Sequence, residues 1–191
     1  MIISVTLKDS FAKRVGSKKP KKFNFKTGVN LLVGPNGSGK STVLEAIYEK
    51  SCRPFSYAEV ETSGPVGVYY FDLEKGNVRT KNTLDNDGLA GFQVMSHFRS
   101  HGQVNKDLVK GLLDSEKIRD GVSMLDEPDQ ALDYDGIISL SSWLSRSKAK
   151  QIIVSVHNPL LVLDPSFHVI EMRRGYCKKM RNSIRELVGA S

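Results

Sequence analysis

Residues 34–41 have the types and the spacing of a phosphate-binding loop, because their sequence GPNGSGKS fits the pattern G-x-x-x-x-G-K-[ST]. The glycines of such a loop let the backbone turn tightly and present its N–H groups to phosphate oxygens. Lys40 is expected to reach the β- and γ-phosphates of a nucleoside triphosphate, and the Ser41 hydroxyl to ligate Mg²⁺. The residues predicted to contact the triphosphate are Asn36, Gly37, Ser38, Gly39, Lys40, Ser41 and Thr42. A glycine-rich turn with a chance lysine is the alternative.

Two consecutive acids, Asp126 and Glu127, follow an apolar run at residues 122–125 and precede Pro128. Asp126 is predicted to hold Mg²⁺ through its water shell, and Glu127 to orient or deprotonate an attacking water. Acid pairs after a strand are common on protein surfaces, so this pair alone does not indicate a nucleotide site. It does so only in combination with the phosphate loop. Together the two features predict a site that hydrolyses a nucleotide.

The elements around these residues are those that a phosphate loop requires. Residues 29–33 read as a short buried strand before the loop, and residues 42–48 as a helix with one apolar face after it. Further strands are predicted at residues 1–7, 23–25, 67–73, 122–126, 151–156 and 167–172, and further helical patterns at residues 89–99, 104–112, 137–144 and 183–188. Residues 9–22 are predicted to form a flexible basic hairpin tip. This alternation predicts an α/β fold with a mostly parallel central sheet flanked by helices.

The length of 191 residues suits a single domain over residues 1–191, large enough to bury roughly 70% of its unfolded surface. Cys52 and Cys177 have no metal-type spacing, which favours reduced thiols in an intracellular protein over a disulfide. The N-terminus lacks the basic start and long apolar run of a signal peptide. The longest uncharged apolar stretch, residues 152–163, is too short to span a bilayer. We therefore expect a cytoplasmic protein with no membrane insertion.

The net charge of +7 is concentrated in two basic clusters, at residues 13–22 and 173–185. Their basic members are Lys13, Arg14, Lys18, Lys19, Lys21 and Lys22 in the first cluster, and Arg173, Arg174, Lys178, Lys179, Arg181 and Arg185 in the second. Clusters of this kind favour polyanions such as nucleic acid, because binding releases the counterions of the phosphates. Two solvated loops that bind nothing are the alternative.

Four features together resemble an ABC-type ATPase: the phosphate loop, the sequence LDEP at residues 125–128, the sequence ALD at residues 131–133, and His157 just past a predicted strand. The resemblance implies that LDEP is a Walker B motif and that ALD, with Asp133, is a D-loop at a dimer interface. It also implies that ATP is the ligand and that His157 contacts its γ-phosphate. A helix-capping or core histidine is the alternative for His157 taken alone.

The family also carries a signature loop ahead of Walker B, and the nearest match is RSHGQ at residues 99–103. This stretch keeps the serine, the second glycine and the glutamine of the usual LSGGQ at Ser100, Gly102 and Gln103. It precedes the helical pattern at residues 104–112, so its hydroxyl, its backbone N–H groups and the helix dipole are expected to face a phosphate. The resemblance implies that this phosphate belongs to a second copy, so that two copies sandwich two ATP molecules head to tail.

Two differences from typical ABC-type ATPases narrow the branch of the family that the chain resembles. Only 59 residues separate Lys40 from Ser100, which leaves a reduced helical region at about residues 75–115, and no long heptad insertion is present. The chain is therefore similar to the small stand-alone ATPases related to the RecF, OLD and SMC-like group, which implies an N-terminal antiparallel β portion beside the parallel sheet. The family's Q-loop glutamine has no clear counterpart, and Asp72 and Glu74 are candidates by position only.

The hypothesis from the sequence is a Mg²⁺-dependent ATPase that forms an ATP-sandwiched homodimer. It would act in DNA processing or repair, directly or through a nuclease or other protein partner, and would turn over slowly alone. Its catalytic residues would be Lys40, Glu127 and His157, with Mg²⁺ at Ser41 and Asp126. The alternatives are the nucleotide-binding subunit of an ABC transporter and a regulatory module that uses ATP as a switch with little hydrolysis.

Overall fold

The computed structural model describes residues 1–52, 58–72 and 121–189. Its strands are β1 (Ile2–Leu7), β2 (Lys21–Asn24), β3 (Gly28–Val33), β4 (Ala58–Thr62), β5 (Val68–Asp72), β6 (Val122–Asp126), β7 (Gln151–Val156) and β8 (His168–Glu171). Its helices are α1 (Asp9–Arg14), α2 (Lys40–Cys52), α3 (Tyr134–Arg146), α4 (Pro159–Leu163) and α5 (Tyr176–Leu187). The predicted signature and the predicted helical region at residues 75–115 lie outside the described residues.

Five strands form a parallel sheet in the order β5-β6-β7-β3-β8. Its inner strands β6 and β7 are buried along their whole length, which is why their sequences are nearly continuous apolar runs. In a separate sheet, β1 pairs antiparallel with β2 on one side and β4 on the other. The predicted α/β class, the parallel central sheet and the antiparallel N-terminal portion are confirmed.

The core has two parts, one on each face of the parallel sheet. Helix α2 contacts β1, β4 and β5, so that one part joins this helix to both sheets. Helix α3 covers the second part and buries Ile137, Leu140 and Leu144 in it. The neighbours Met124 and Leu125 belong to different parts, as expected for the two faces of one strand.

The buried side chain of Gln151 ties the two sheets together. Its Oε1 accepts a hydrogen bond from the backbone N–H of Ile2 at 2.7 Å, and its Nε2 donates to the carbonyls of Ile2 at 2.8 Å and Lys26 at 3.0 Å. A glutamine at the start of a mostly apolar, buried strand is thus partnered at both its oxygen and its nitrogen, as a buried amide requires. The contact fixes where the antiparallel sheet lies against the parallel one.

The predicted flexible hairpin tip at residues 9–22 is wrong, because the first part of this segment is helix α1. Phe11, Ala12 and Val15 are buried, and Val15 packs against the phosphate loop. A Cβ added at Gly39 would lie 2.5 Å from Cγ1 of Val15. So short a helix is stabilised by this tertiary packing rather than by its intrinsic propensity.

Three other elements differ from the sequence prediction. Strand β4 and helix α4 were not predicted, and α5 begins at Tyr176, well before the predicted start at residue 183. The early start of α5 follows from Gly175, whose positive φ of 79° turns the chain into the helix. Within the described ranges, no helix has the length and the hydropathy needed to cross a bilayer.

Candidate functional site

The predicted site residues converge at the carboxyl edge of the parallel sheet. The phosphate loop follows β3, the two acids end β6, and His157 follows β7. Strand β7 pairs with β3 on one side and with β6 on the other, so the three strand ends lie side by side. This edge is where open parallel sheets usually bind their ligands.

The phosphate loop folds tightly and depends on its glycines. Gly37 and Gly39 have positive φ angles of 70° and 89°, a conformation that other residues rarely adopt. A Cβ on Gly34 would lie 2.7 Å from Oγ of Ser38 and 2.8 Å from Cβ of Met172, so no larger residue fits there. The backbone is therefore free to approach a phosphate closely at this turn.

Lys40 begins helix α2 and lies almost completely buried, with 4% of its surface exposed. Its Nζ donates to the Gly34 carbonyl at 3.3 Å, across the mouth of the loop. Burial lowers the pKa of Lys40, while the nearby carboxylates of Glu127, Asp126 and Asp129 act in the opposite direction. A buried ammonium with one neutral partner is suited to an anionic ligand that would replace the carbonyl.

Asp126 is buried and accepts three hydrogen bonds from other strands and from the loop. Ser41 Oγ donates to its Oδ1 at 3.2 Å, Tyr70 donates to its Oδ2 at 3.1 Å, and Ser155 donates to its Oδ1 in a short contact. The hydroxyl of Ser41 and the carboxylate of Asp126 are therefore adjacent. Both are hard oxygen donors, and Mg²⁺ typically takes few protein oxygens and completes its octahedron with phosphate and water.

Glu127 stands at a sharp turn where the chain leaves β6. Its φ is 50°, in the left-handed region, and its backbone N–H donates to Oγ of Ser155 at 2.9 Å. Its Oε1 lies 2.6 Å from Nε2 of His157, and both side chains are about one third exposed, at 34% each. A carboxylate and an imidazole thus face each other at the surface of the site, both able to take up a proton.

Asp129 is a further carboxylate at this edge, and the sequence interpretation missed it. Its Oδ2 accepts from the backbone N–H groups of His157 at 2.7 Å and Asn158 at 2.5 Å. The side chain of Asn158 in turn caps helix α4 through the N–H of Leu160 at 3.0 Å. The carboxylate of Asp129 therefore holds the start of the segment that joins β7 to α4.

An open cleft of about 400 Å³ lies over these groups. Its lining residues are Asn36, Glu127, Asp129, Gln130, His157 and Asn158. One wall is thus part of the phosphate loop, and the other carries the carboxylates and the histidine. The cleft is large enough for a phosphate chain and a water molecule, and it is open to solvent.

The remaining predicted residues have different surroundings. Thr42 lies in the first turn of α2, directly after Ser41. Asp133 caps helix α3, because its Oδ1 accepts from the backbone N–H of Gly136 at 2.8 Å. Ser100, Gly102 and Gln103, the predicted signature in trans, lie outside the described residues.

Two further residues that contact Asp126, Tyr70 and Ser155, were missed, although the sequence holds a weak signal for each. Ser155 is a polar residue inside the buried run Gln151–Val156, next to the strand that ends in Asp126. Tyr70 is partly buried on β5, which pairs with β6, and a tyrosine hydroxyl in such a place usually finds a partner. Either residue could have been proposed as a partner of Asp126 once the strand order was known.

Comparison with known proteins gives partial sequence matches. The family model described as an AAA domain matches residues 10–48, from α1 through the phosphate loop into α2. A DNA double-strand break repair Rad50 ATPase from Thermococcus kodakarensis is 36% identical over 66 residues, which is 30% of this chain. A protein of the same name from Nanoarchaeum equitans is 41% identical over 44 residues, or 23% of this chain. These matches span only 7% and 6% of the two relatives.

The structural likenesses extend much further along the chain. A crystal structure described as a cobalt transport ATP-binding protein matches with a TM-score of 0.53 and 17% identity, covering 88% of this chain and 76% of its own. A Pyrococcus furiosus structure described as an ABC transporter ATP-binding protein matches with a TM-score of 0.51 and 18% identity, covering 88% of this chain and 97% of its own. At such identities, the likeness establishes the fold and leaves the activity to be argued from the site.

Proposed function

We propose that this chain, an ATPase domain of the ABC and Rad50 type, hydrolyses ATP in the cleft over the carboxyl ends of β3, β6 and β7. The observation that carries the proposal is the joining of the phosphate loop to the acid pair through the hydrogen bond from Ser41 to Asp126 at 3.2 Å. That contact brings together two motifs that lie 85 positions apart in the sequence. A phosphate cradle and a group able to activate water thereby share one cleft.

Each residue of the cleft has a role that its surroundings support. The loop N–H groups and Lys40 bind the triphosphate and balance its charge. Glu127 orients a water and accepts its proton as the water oxygen bonds to the γ-phosphorus and the bond to the β–γ bridging oxygen breaks. The imidazole of His157, beside Glu127, faces the γ-phosphate from the opposite wall. Mg²⁺, held by Ser41 and Asp126, would neutralise charge on the phosphate oxygens.

We further propose that two copies close on ATP, with Ser100, Gly102 and Gln103 of each copy completing the cleft of the other. The cleft is open in a single copy, and Glu127 and His157 are each about one third exposed beside it. Water must be excluded from such a centre for its electrostatic interactions to reach full strength. A second copy would provide that exclusion.

Nucleic acid is the partner that we propose for the two basic clusters. They adjoin each other, because Lys21 Nζ donates to the Met172 carbonyl at 2.7 Å and His168 hydrogen-bonds the backbone of Asn24. Lys22 is exposed but pairs with Glu61. We call the other exposed members the basic surface; they are Lys13, Arg14, Lys18, Lys19, Arg173, Arg174, Lys178, Lys179, Arg181 and Arg185. The names of the two sequence relatives, DNA double-strand break repair ATPases, support DNA as the polyanion. A DNA-processing protein with an acidic surface is the other partner that would fit.

The basic surface flanks the phosphate loop on two sides. Val15, at the end of α1, packs on Gly39, and Met172, just before Arg173, packs on Gly34. The two chain segments that carry the basic surface therefore contact both ends of the loop. This arrangement supports a link between DNA binding and the nucleotide site.

Replacing Glu127 by Gln tests the proposed ATPase and its dimer. The amide keeps the size of the side chain but cannot accept the proton, so phosphate release should fall roughly 100-fold or more while ATP binding is kept. Light scattering at saturating ATP and Mg²⁺ should then show a stable species of twice the monomer mass. Unchanged phosphate release would refute the role of Glu127, and a variant that stays monomeric with ATP bound would refute the sandwich.

A further inference from the structure

The side chain of Asp129 is buried and accepts hydrogen bonds from backbone groups far away in the sequence. Only 7% of the residue is exposed, and its Oδ2 accepts from two successive backbone N–H groups, those of His157 and Asn158. Its Oδ1 is also buried and has no hydrogen-bond partner among the described residues. A carboxylate fixed through one oxygen lies in the wall of the cleft.

The two N–H groups that Asp129 binds belong to the short connection between β7 and α4. This connection leaves the sheet at Val156 and enters the helix at Pro159, so neither N–H has a partner in a strand ladder or within a helix. Part-buried backbone donors that leave the strand ladder need another acceptor, because an N–H without a partner is destabilising. One ionised carboxylate satisfies both, and charge-assisted bonds to it are stronger than neutral ones.

The segment after β6 that carries Asp129 contacts the end of β7 and the residue after it at two other points. Glu127 donates its backbone N–H to Ser155, and the Glu127 carboxylate contacts the His157 ring. Asp129 adds the contact that fixes the backbone of His157 itself. The backbone position from which the imidazole extends is thus fixed, and the ring of His157 lies 2.6 Å from Oε1 of Glu127 through its Nε2.

We propose that Asp129 is a positioning residue: it clamps the N–H groups of His157 and Asn158 and so holds the imidazole against Glu127 in the geometry needed for hydrolysis. The proposal rests on the proposed function, since it assigns Asp129 to the same hydrolytic centre. Asp129 does not touch the reacting atoms. It acts by preorganising His157, and misplacing a reacting group by about 1 Å can cost roughly 100-fold in rate.

The first experiment measures the clamp without ATP. Hydrogen exchange of the His157 and Asn158 amides is followed in nucleotide-free wild type, Asp129→Ala, Asp129→Asn and the matched control Asp135→Ala, an exposed acid in the first turn of α3. The Ala variant should exchange these amides at least ~10-fold faster, since exchange from an unbonded amide requires no opening step. The Asn variant keeps a carbonyl acceptor and should stay within about 3-fold of wild type. Equal exchange in wild type and Asp129→Ala overturns the clamp.

The second experiment measures steady-state phosphate release by the same variants and by His157→Ala. Asp129→Ala should lower kcat by ~10- to 100-fold with KM within about 3-fold, and Asp129→Asn should recover most of the loss. The double variant Asp129→Ala/His157→Ala should be no slower than His157→Ala alone, because both changes remove one interaction. Multiplied losses, or a fall in ATP affinity in place of kcat, overturn the positioning role.

The two arms separate the two proposals. If the wild type releases no phosphate under any condition, the proposed function fails, while the amide exchange still decides whether Asp129 clamps the segment. If the wild type is active and Asp129→Ala behaves like Asp135→Ala in both arms, the clamp fails and the ATPase stands. A variant that does not fold is identified by its circular dichroism spectrum. If Asp129→Ala does not fold, Asp129→Ser replaces it with the same expectations, because the shorter side chain cannot reach both N–H groups.

Discussion

The cleft and the basic surface are both charged, but their charges are arranged differently. In the cleft, Asp126 accepts three hydrogen bonds, Glu127 meets His157, and Asp129 accepts two backbone N–H groups. On the basic surface, the side chains are exposed, and among the described residues the one ion pair of the two clusters is that of Lys22 with Glu61, which lies outside this set. One region has its charges partnered inside the molecule, whereas the other directs them outward.

This difference predicts two kinds of energetics. The side chains of the cleft are already ordered, so a ligand gains from them with little loss of conformational freedom. Long lysine and arginine side chains lose rotamer entropy on binding and act through screened charge, so each adds a small and similar increment. A single substitution in the cleft should therefore cause a large loss of ATP binding or hydrolysis. Each substitution on the basic surface should reduce nucleic-acid affinity by a small amount.

Lys40→Ala should have the largest effect. It removes the buried ammonium that faces the phosphates, and loss of one partner of a buried charged contact should lower ATP affinity roughly 100-fold. Folding should be spared, because burial already disfavours this charge and lowers the pKa of Lys40. Titration calorimetry with ATP and Mg²⁺ measures the affinity, with Lys50→Ala on the same helix as the control. Equal affinities for the two variants would refute the assigned loop.

Removing two charges from the basic surface should have an intermediate effect. Each basic side chain that no longer neutralises a phosphate reduces the slope of log affinity against log salt by about 0.9, so Arg173→Gln/Arg174→Gln should lower the slope for DNA by up to about 2. The matched control is Arg146→Gln/Lys148→Gln, with the same change in net charge at the far end of α3. Fluorescence anisotropy at about 50 and 200 mM salt gives the slopes. The same slope for both double variants would leave the basic surface without a nucleic-acid role.

The central sheet could be predicted from the sequence more fully than the site. The bounds of β6 and β7 are confirmed, because both strands lie in the middle of the sheet and are apolar on both faces. Helix α1 could not be found in the same way, since it has only six residues. Its buried side chains, Phe11 and Ala12, and Val15 directly after them are covered by parts of the chain that are distant in sequence. The local sequence pattern identifies elements whose own apolar residues reveal their burial. It does not identify elements that are buried only because a segment distant in sequence covers them.

The site shows the same limit at the level of single residues. Lys40, Ser41, Asp126 and Glu127 follow from motifs, because spacing within a loop or a strand end fixes their place. Asp129 follows from no motif: its partners, His157 and Asn158, are 28 and 29 positions away. Its role required the strand order that places β7 beside β6.

Lys21→Met should have the smallest effect, and it addresses the boundary between the two regions. Lys21 belongs to a basic cluster, yet its ammonium is half-buried, donates to the Met172 carbonyl and lies 5.1 Å from the ring centre of Phe23. Burial lowers the pKa of Lys21, so part of the gain from the hydrogen bond is offset, and the free energy of unfolding should fall by about 1 kcal/mol. Urea denaturation measures this decrease. In the control Lys22→Met, the substitution removes an exposed ion pair with Glu61, and the cost should be below about 0.5 kcal/mol. If both variants are destabilised equally, Lys21 contributes no more to stability than an exposed lysine such as Lys22. The hydrogen bond from Lys21 to the Met172 carbonyl would then not hold the two basic clusters together.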